Sequence, residues 1–150
     1  MDKNRCNSYR GSKHETVGRI WAKTVKGRGV CLPDFDYLIL AHFNWKRRFH
    51  EHLRGKDVLQ VEAVRQVDQC NMGRWLASEG LAYAGTPEYE DLVCKHSRFH
   101  SIAAATIERA AGLHDNEALK LVAPNSEFER ASRQCIAAIM KMRDTIETQS

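Results

Sequence analysis

The chain has 150 residues, of which 43% are hydrophobic and 28% charged, and its formal net charge is +4. This is the length and composition of a single globular domain that can bury its own core. No apolar run approaches the ~20 residues of a membrane span, and the N-terminus lacks the apolar segment of a secretory signal. Five cysteines, an odd number at irregular spacing, do not indicate a disulfide framework, so we expect a cytoplasmic protein.

The positive charge is concentrated at the N-terminus. Residues 1–32 hold eight Lys and Arg against two acidic residues, a formal charge of +6, which leaves −2 for the rest. A basic arm of this kind suits nucleic acid, an acidic partner or a membrane surface. We favour the simpler interpretation, a basic extension over residues 1–33 that is partly disordered or forms a short helix, and expect no nucleic-acid partner. Residues 34–148 then form the domain.

Helical spacing of apolar residues predicts an all-α domain. The first helix is expected to begin at Asp34, a good N-cap, and to end near Gly55. Its apolar stripe includes His42, which is therefore either a hydrogen-bonded core residue or a ligand. Four valines at helical spacing predict a second helix, although β-branching weakens its propensity: Val58, Val61, Val64 and Val67.

The segment that follows, residues 67–80, contains Cys70, Gly73 and Trp75. A small residue at Gly73 is expected to let this segment approach the first helix closely. Trp75 and Leu76 are interpreted as core anchors without a chemical role.

A long helix is predicted to begin with Thr86 and Pro87. Its core-facing stripe comprises Tyr89, Leu92, Val93, His96, Phe99, His100, Ala103 and Ile107. A short helical piece then precedes Pro124. The last helix begins at Ser126, which forms a capping-box pattern with Glu129, and its apolar stripe is expected to include Cys135 and Met140. Four main helices with short connections argue for an up-and-down four-helix bundle, with a short extra helix carrying Cys70.

His96 and His100 hold the most informative spacing in the sequence. Histidines at i and i+4 lie one turn apart on the same helix face and can offer two nitrogens to one metal. Two buried imidazoles without partners would be costly, and a metal accounts for both. Zinc would take two more ligands, and Cys70 and His42 are the best candidates. His50 is a poorer substitute for His42, and His52 is interpreted as a solvated histidine.

Three blocks of the sequence also resemble a known family. They are AHFNWKRRF (41–49), CNMGRWL (70–76) and HSRFH (96–100), and they resemble the signature blocks of the CZB family. These chemoreceptor zinc-binding domains occur on bacterial chemoreceptors and diguanylate cyclases. The resemblance covers residues 35–146 and implies a four-helix bundle that often forms a homodimer, with zinc held by three His and one Cys. It assigns these ligands to His42, Cys70, His96 and His100.

The resemblance implies a sensory domain that responds to zinc or to oxidants such as hypochlorous acid. Its zinc occupancy or Cys70 oxidation would modulate a signalling partner of chemoreceptor or diguanylate cyclase type. This sequence contains no cyclase or coiled-coil signalling segment, so we expect the partner to act in trans, or in cis if the sequence is a fragment of a longer protein. The alternative is a zinc-stapled structural or adaptor domain that uses the basic arm. An enzyme is disfavoured because four protein ligands occupy all four coordination positions of the zinc. The sequence also has neither the H-E-x-x-H motif of a zinc hydrolase nor a second E-x-x-H helix for a di-iron centre.

Overall fold

The computed structural model describes residues 34–149 of the chain. Its elements are α1 (Phe35–Leu53), α2 (Val61–Arg65), α3 (Asn71–Leu76), a 3₁₀ helix (Glu79–Tyr83), α4 (Pro87–Ala110), α5 (Asp115–Lys120) and α6 (Glu127–Gln149). The described part of the chain contains no strand, so the all-α class is confirmed. None of its helices is long and apolar enough to span a membrane. The basic extension predicted for residues 1–33 lies outside the described residues.

The predicted ends of α1 and the predicted start of α4 are confirmed. The Asp34 carboxylate caps α1 by accepting a hydrogen bond from the Tyr37 amide at 2.9 Å. After α1 the chain turns at Gly55, whose φ of +67° is the left-handed conformation that glycine adopts without strain. The Thr86 hydroxyl caps α4 by accepting from the Tyr89 amide, and Pro87 occupies the first turn.

The start of α6 follows only half of the predicted capping box. The Ser126 hydroxyl accepts a hydrogen bond from the Glu129 amide at 3.1 Å, as expected. The Glu129 carboxylate, however, accepts from Lys46 Nζ of α1 at 2.7 Å. An ion pair between two helices therefore replaces the second bond of the box.

The apolar stripe of α6 also differs at one position. Met140, predicted to face the core, is 43% exposed, whereas Met142 is fully buried. Met142 lies three residues after the buried Ile139, so the two share one face of the helix, and Met140 lies outside this core-facing stripe.

The second main helix predicted from the valine spacing is wrong in extent. Only α2 forms there, with five residues, and Val64 is its only buried one. Val58 precedes the helix and is 71% exposed. The β-branched residues provide little helical propensity, and a single buried side chain provides little packing energy to offset it.

An aromatic cluster at the centre of the core joins the three long helices. Phe49 of α1 stacks on Phe128 of α6 with ring centroids 4.6 Å apart, and Phe99 of α4 lies 5.6 Å from Phe128. All three side chains are at least 98% buried. They therefore fix the relative positions of α1, α4 and α6 next to the site described below.

The long helices α1 and α4 run parallel to each other, and α6 is antiparallel to both. The ion pairs Asp36–Arg143 and Lys46–Glu129 show that α1 and α6 are antiparallel. Glu88–Lys141, together with the contact of Phe99 and Phe128, shows the same for α4 and α6. Between α1 and α4 the chain forms α2, α3 and the 3₁₀ helix instead of a long helix. The described residues thus contain three long helices, and the four-helix bundle is not confirmed.

Candidate metal centre

The long helix α4 presents two histidines to the interior. His96 and His100 are 4% and 5% exposed, and their ring centroids lie 4.6 Å apart. Thr86 and Pro87 fix the start of the helix, and its apolar stripe orients it toward the core, so both rings face inward. The predicted pairing of these two histidines on one helix face is therefore present in the structure.

Cys70 reaches the same place from the short helix α3, of which it is the N-cap. Its Sγ accepts a hydrogen bond from the Gly73 amide at 3.2 Å and lies 3.0 Å from His96 Nε2. An amide that donates to sulfur stabilises the negative charge of a thiolate. The Cys-x-x-Gly spacing thus positions and supports the sulfur in one local turn.

Gly73 has a further role that differs from the sequence prediction. A Cβ placed on Gly73 would lie 1.7 Å from the Val67 carbonyl oxygen and 2.9 Å from Asp68 Cα. The close approach is therefore to the backbone that leads into Cys70 and not to the first helix. Any larger residue here would force the backbone itself to move, because backbone atoms cannot swing away as a side chain can.

The tautomer of His100 is set by its neighbour on α2. Nδ1 lies 2.6 Å from the Val64 carbonyl oxygen, which only accepts, so Nδ1 carries the proton and donates. Nε2 is then the nitrogen with a free lone pair. A metal-binding histidine typically has this arrangement, in which a backbone carbonyl orients the ring and leaves the other nitrogen for the ion.

Cys70, His96 and His100 form a cluster that could hold a metal. One ligand atom from each lies within 4.8 Å of the other two. Ligand atoms around a tetrahedral zinc lie about 3.3–3.6 Å apart, so small side-chain shifts suffice. One sulfur and two imidazole nitrogens form a donor set of the softness that zinc prefers. The residues present fit a zinc ion, as three of its four ligands.

His42 lines the same cavity but is not part of this cluster. The cavity has a volume of about 190 Å³, and its lining includes His42, Cys70, His96 and His100. The His42 Nε2 atom lies 3.0 Å from the Ser132 hydroxyl of α6. The structure therefore places His42 beside the other three residues with this ring nitrogen engaged elsewhere.

The other two histidines of α1 do not join the cluster. His52 was predicted to be solvated, but its Nδ1 accepts a hydrogen bond from the Leu59 amide at 3.1 Å. This bond fixes the loop after α1. His50 lies outside the three-residue cluster.

Burial controls the protonation of the site. It lowers the pKa of His42 to about 4, assisted by the positive charge of Lys46, and lowers the pKa of His96 to about 3. Burial also lowers the pKa of His100, an effect opposed by the bond to Val64. The imidazoles are therefore neutral at pH 7, which is the form that binds metal. Burial raises the pKa of the Cys70 thiol, against the amide of Gly73, so metal binding must displace the thiol proton.

Sequence reasoning missed two residues that hold the candidate ligands, Ser132 and Val64. Ser132 is fully buried and lies on the apolar stripe of α6 between Phe128 and Cys135. A polar residue at a core position was a usable signal of a buried polar partner. Val64 acts through its backbone carbonyl. Because every residue has a backbone carbonyl, the residue type gives no indication of this role.

Residues 42–107 match the model of the CZB family, described as the chemoreceptor zinc-binding domain. This confirms the resemblance for that stretch, which begins at His42 and contains all four candidate ligands. CZB is a zinc-binding domain that occurs in chemoreceptors and other signalling proteins, and it is not a known catalytic family. Neither a curated protein nor a solved structure matches the chain significantly.

Proposed function

We propose that this chain is a zinc-binding sensory domain in which one zinc ion is held by His42, Cys70, His96 and His100. The observation that carries the proposal is the cluster of Cys70, His96 and His100 within 4.8 Å, inside the stretch that matches the zinc-binding family. His42 supplies the fourth ligand from the wall of the same cavity. When bound, the zinc would join α1, α3 and α4 at one point, so its occupancy would alter how these helices pack.

A regulatory role suits the site better than a catalytic one. Four protein ligands leave no open position for a water or substrate, which catalytic zinc requires. Two of the ligand histidines are almost completely buried. The site is therefore suited to holding or releasing the ion, not to binding a substrate on it.

Cys70 is the residue through which oxidants would act. It is half-buried, whereas Cys135, another free thiol that lines the cavity, is fully buried. Burial also raises the pKa of Cys135 to about 12, so that thiol is protonated and unreactive at pH 7. Zinc binding would keep Cys70 as a thiolate, which oxidants attack, and the resulting sulfenic acid is a poorer ligand. Oxidation of Cys70 would thus loosen the zinc.

A zinc-release assay tests this mechanism. Stoichiometric hypochlorous acid is added to the zinc-loaded protein in the presence of a chromogenic chelator, and mass spectrometry locates the oxidised residue. We expect zinc release within minutes, with oxidation at Cys70 and not at Cys135. If zinc stays bound until the protein unfolds, the ion is a permanent structural staple and the sensory proposal fails.

We also propose that the domain forms a homodimer through an exposed apolar surface of α1. Tyr37, Leu40 and Phe43 are 55%, 58% and 49% exposed, and an exposed apolar patch of this kind favours pairing with a second copy about a two-fold axis. The partner that reads the zinc state would be a signalling protein of chemoreceptor or diguanylate cyclase type, in cis or in trans, in the cytoplasm. Changes at the zinc would reach this surface through α1, which carries both His42 and the exposed residues.

A further inference from the structure

The fully buried Ser132 hydroxyl is the hydrogen-bond partner of His42. Its Oγ lies 3.0 Å from His42 Nε2 and joins α1 to α6 beside the metal centre. The three clustered ligands come from α3 and α4, whereas this hydrogen bond holds His42 toward α6. To bind zinc, His42 must therefore turn from α6 toward α3 and α4. One ring nitrogen cannot keep this hydrogen bond and bind zinc at the same time.

We propose that Ser132 competes with zinc for His42 Nε2, so that His42 is an exchangeable fourth ligand. This rests on the proposed zinc site. Without zinc, His42 binds Ser132 and ties α1 to α6. With zinc, Nε2 turns to the ion, and α1 is tied to α3 and α4 instead. Ser132 is therefore a positioning residue that sets the zinc affinity and couples the ion to the packing of α1.

The helix around Ser132 provides an alternative partner for its hydroxyl. Four other hydroxyl groups of α4 and α6 bond to the carbonyl four residues earlier, at 2.7–3.1 Å: Ser101, Thr106, Thr145 and Thr148. A serine within a helix can adopt this bond by rotating χ1. When His42 leaves, the Ser132 hydroxyl can therefore turn to the Phe128 carbonyl, and neither group remains buried without a partner. The exchange then costs little.

The neighbouring charges do not provide a competing partner for His42. Lys46 and Glu129 flank the ring, and each influences its pKa, but they pair with each other at 2.7 Å. His42 also packs against Phe99 with ring centroids 4.6 Å apart, a contact that a small rotation of the ring preserves. The geometry thus leaves Ser132 as the group that zinc must displace.

A double-mutant cycle on the full chain tests the competition. Zinc affinity is measured by chelator competition for the wild type, Ser132→Ala, His42→Ala and the double variant. Loss of one hydrogen bond in the zinc-free state should raise the zinc affinity of Ser132→Ala roughly two- to tenfold. The same substitution should have no effect in the His42→Ala background, because Ser132 acts through His42. Thr106→Val, which removes a buried hydroxyl that faces no ligand, should leave the affinity unchanged.

A second measurement uses the wild type alone and does not depend on the variants folding. In protein with ¹⁵N-labelled histidine, adding zinc should move the Nε2 resonance of His42 to a metal-bound position. If Nδ1 becomes the metal-bound nitrogen, or if Ser132→Ala weakens or does not change zinc binding, Ser132 does not compete and the inference is overturned. Failure of the zinc site itself is distinct, because the wild type would then bind no zinc, or Cys70→Ala would bind it as tightly as the wild type.

Discussion

Replacing Gly73 with alanine probes the local architecture that positions Cys70. The added Cβ would lie 1.7 Å from the Val67 carbonyl oxygen, whereas an ordinary contact needs at least 3.4 Å, so the two backbone segments must separate by about 1.7 Å. Overpacking of this kind costs about 1–3 kcal/mol, and backbone contacts lie at the upper end because no side chain can move away. The better helical propensity of alanine returns about 0.5–1 kcal/mol. We expect Gly73→Ala to lower the free energy of unfolding by about 2 kcal/mol.

The same displacement should reach the metal ligands. The Gly73 amide donates to Cys70 Sγ, and Val67 lies three residues before Cys70, so the sulfur moves with the turn. We expect zinc affinity to fall at least tenfold. Urea denaturation measures the stability, and chelator competition measures the affinity.

Gly55→Ala is the matched control for this substitution. Gly55 has a φ of +67° and open space around it, so alanine adds left-handed strain of about 1 kcal/mol without a clash. Zinc affinity should remain at the wild-type value. If Gly73→Ala were as stable as the wild type and bound zinc equally well, the close packing of α3 on the Val67 backbone would be refuted.

Three further predictions follow from the charges and surfaces of the domain. Zinc binding at pH 7 should release about one proton, from Cys70, because burial already keeps the imidazoles neutral. Calorimetry in buffers of different ionisation enthalpy measures the number of protons released, and a value of two or more would contradict the prediction. The zinc-free protein should lose stability as pH falls below about 6.5, by on the order of 1 kcal/mol per pH unit for each of His42 and His96. The reason is that the unfolded chain takes up protons at the ordinary histidine pKa, whereas the folded sites have pKa values of about 4 and about 3. Denaturation between pH 4 and pH 8 should show this decline and no contribution from these groups above pH 7. Light scattering should give a dimer mass for the wild type and a monomer for Leu40→Glu with Phe43→Glu, and a monomeric wild type would remove the proposed interface.

Local sequence patterns predicted much of the fold and of the site. Asp34 and Thr86 cap their helices because a cap depends on neighbours within three residues. His96 and His100 meet because the helical repeat alone brings them together. Such short-range features follow from residue types and spacing without knowledge of the tertiary structure.

The features that sequence reasoning missed depend on distant contacts. The bond between His42 and Ser132 spans 90 residues, and no pattern around His42 indicates it. The valine spacing before Cys70 predicted a full helix, but only Val64 finds a buried site, and the rest of that helix lacks the packing energy to form. The contact of Gly73 with the Val67 carbonyl is likewise a property of the folded turn.

The metal content of the purified protein tests the central claim most directly. The full chain is purified without added metal, and its metal is counted by mass spectrometry alongside Cys70→Ser and Cys135→Ala. We predict about one zinc per chain in the wild type and in Cys135→Ala, where a buried thiol beside the cavity is removed, and little or none in Cys70→Ser. A wild type without zinc, or a Cys70→Ser variant that retains the full complement, would contradict the proposed metal centre.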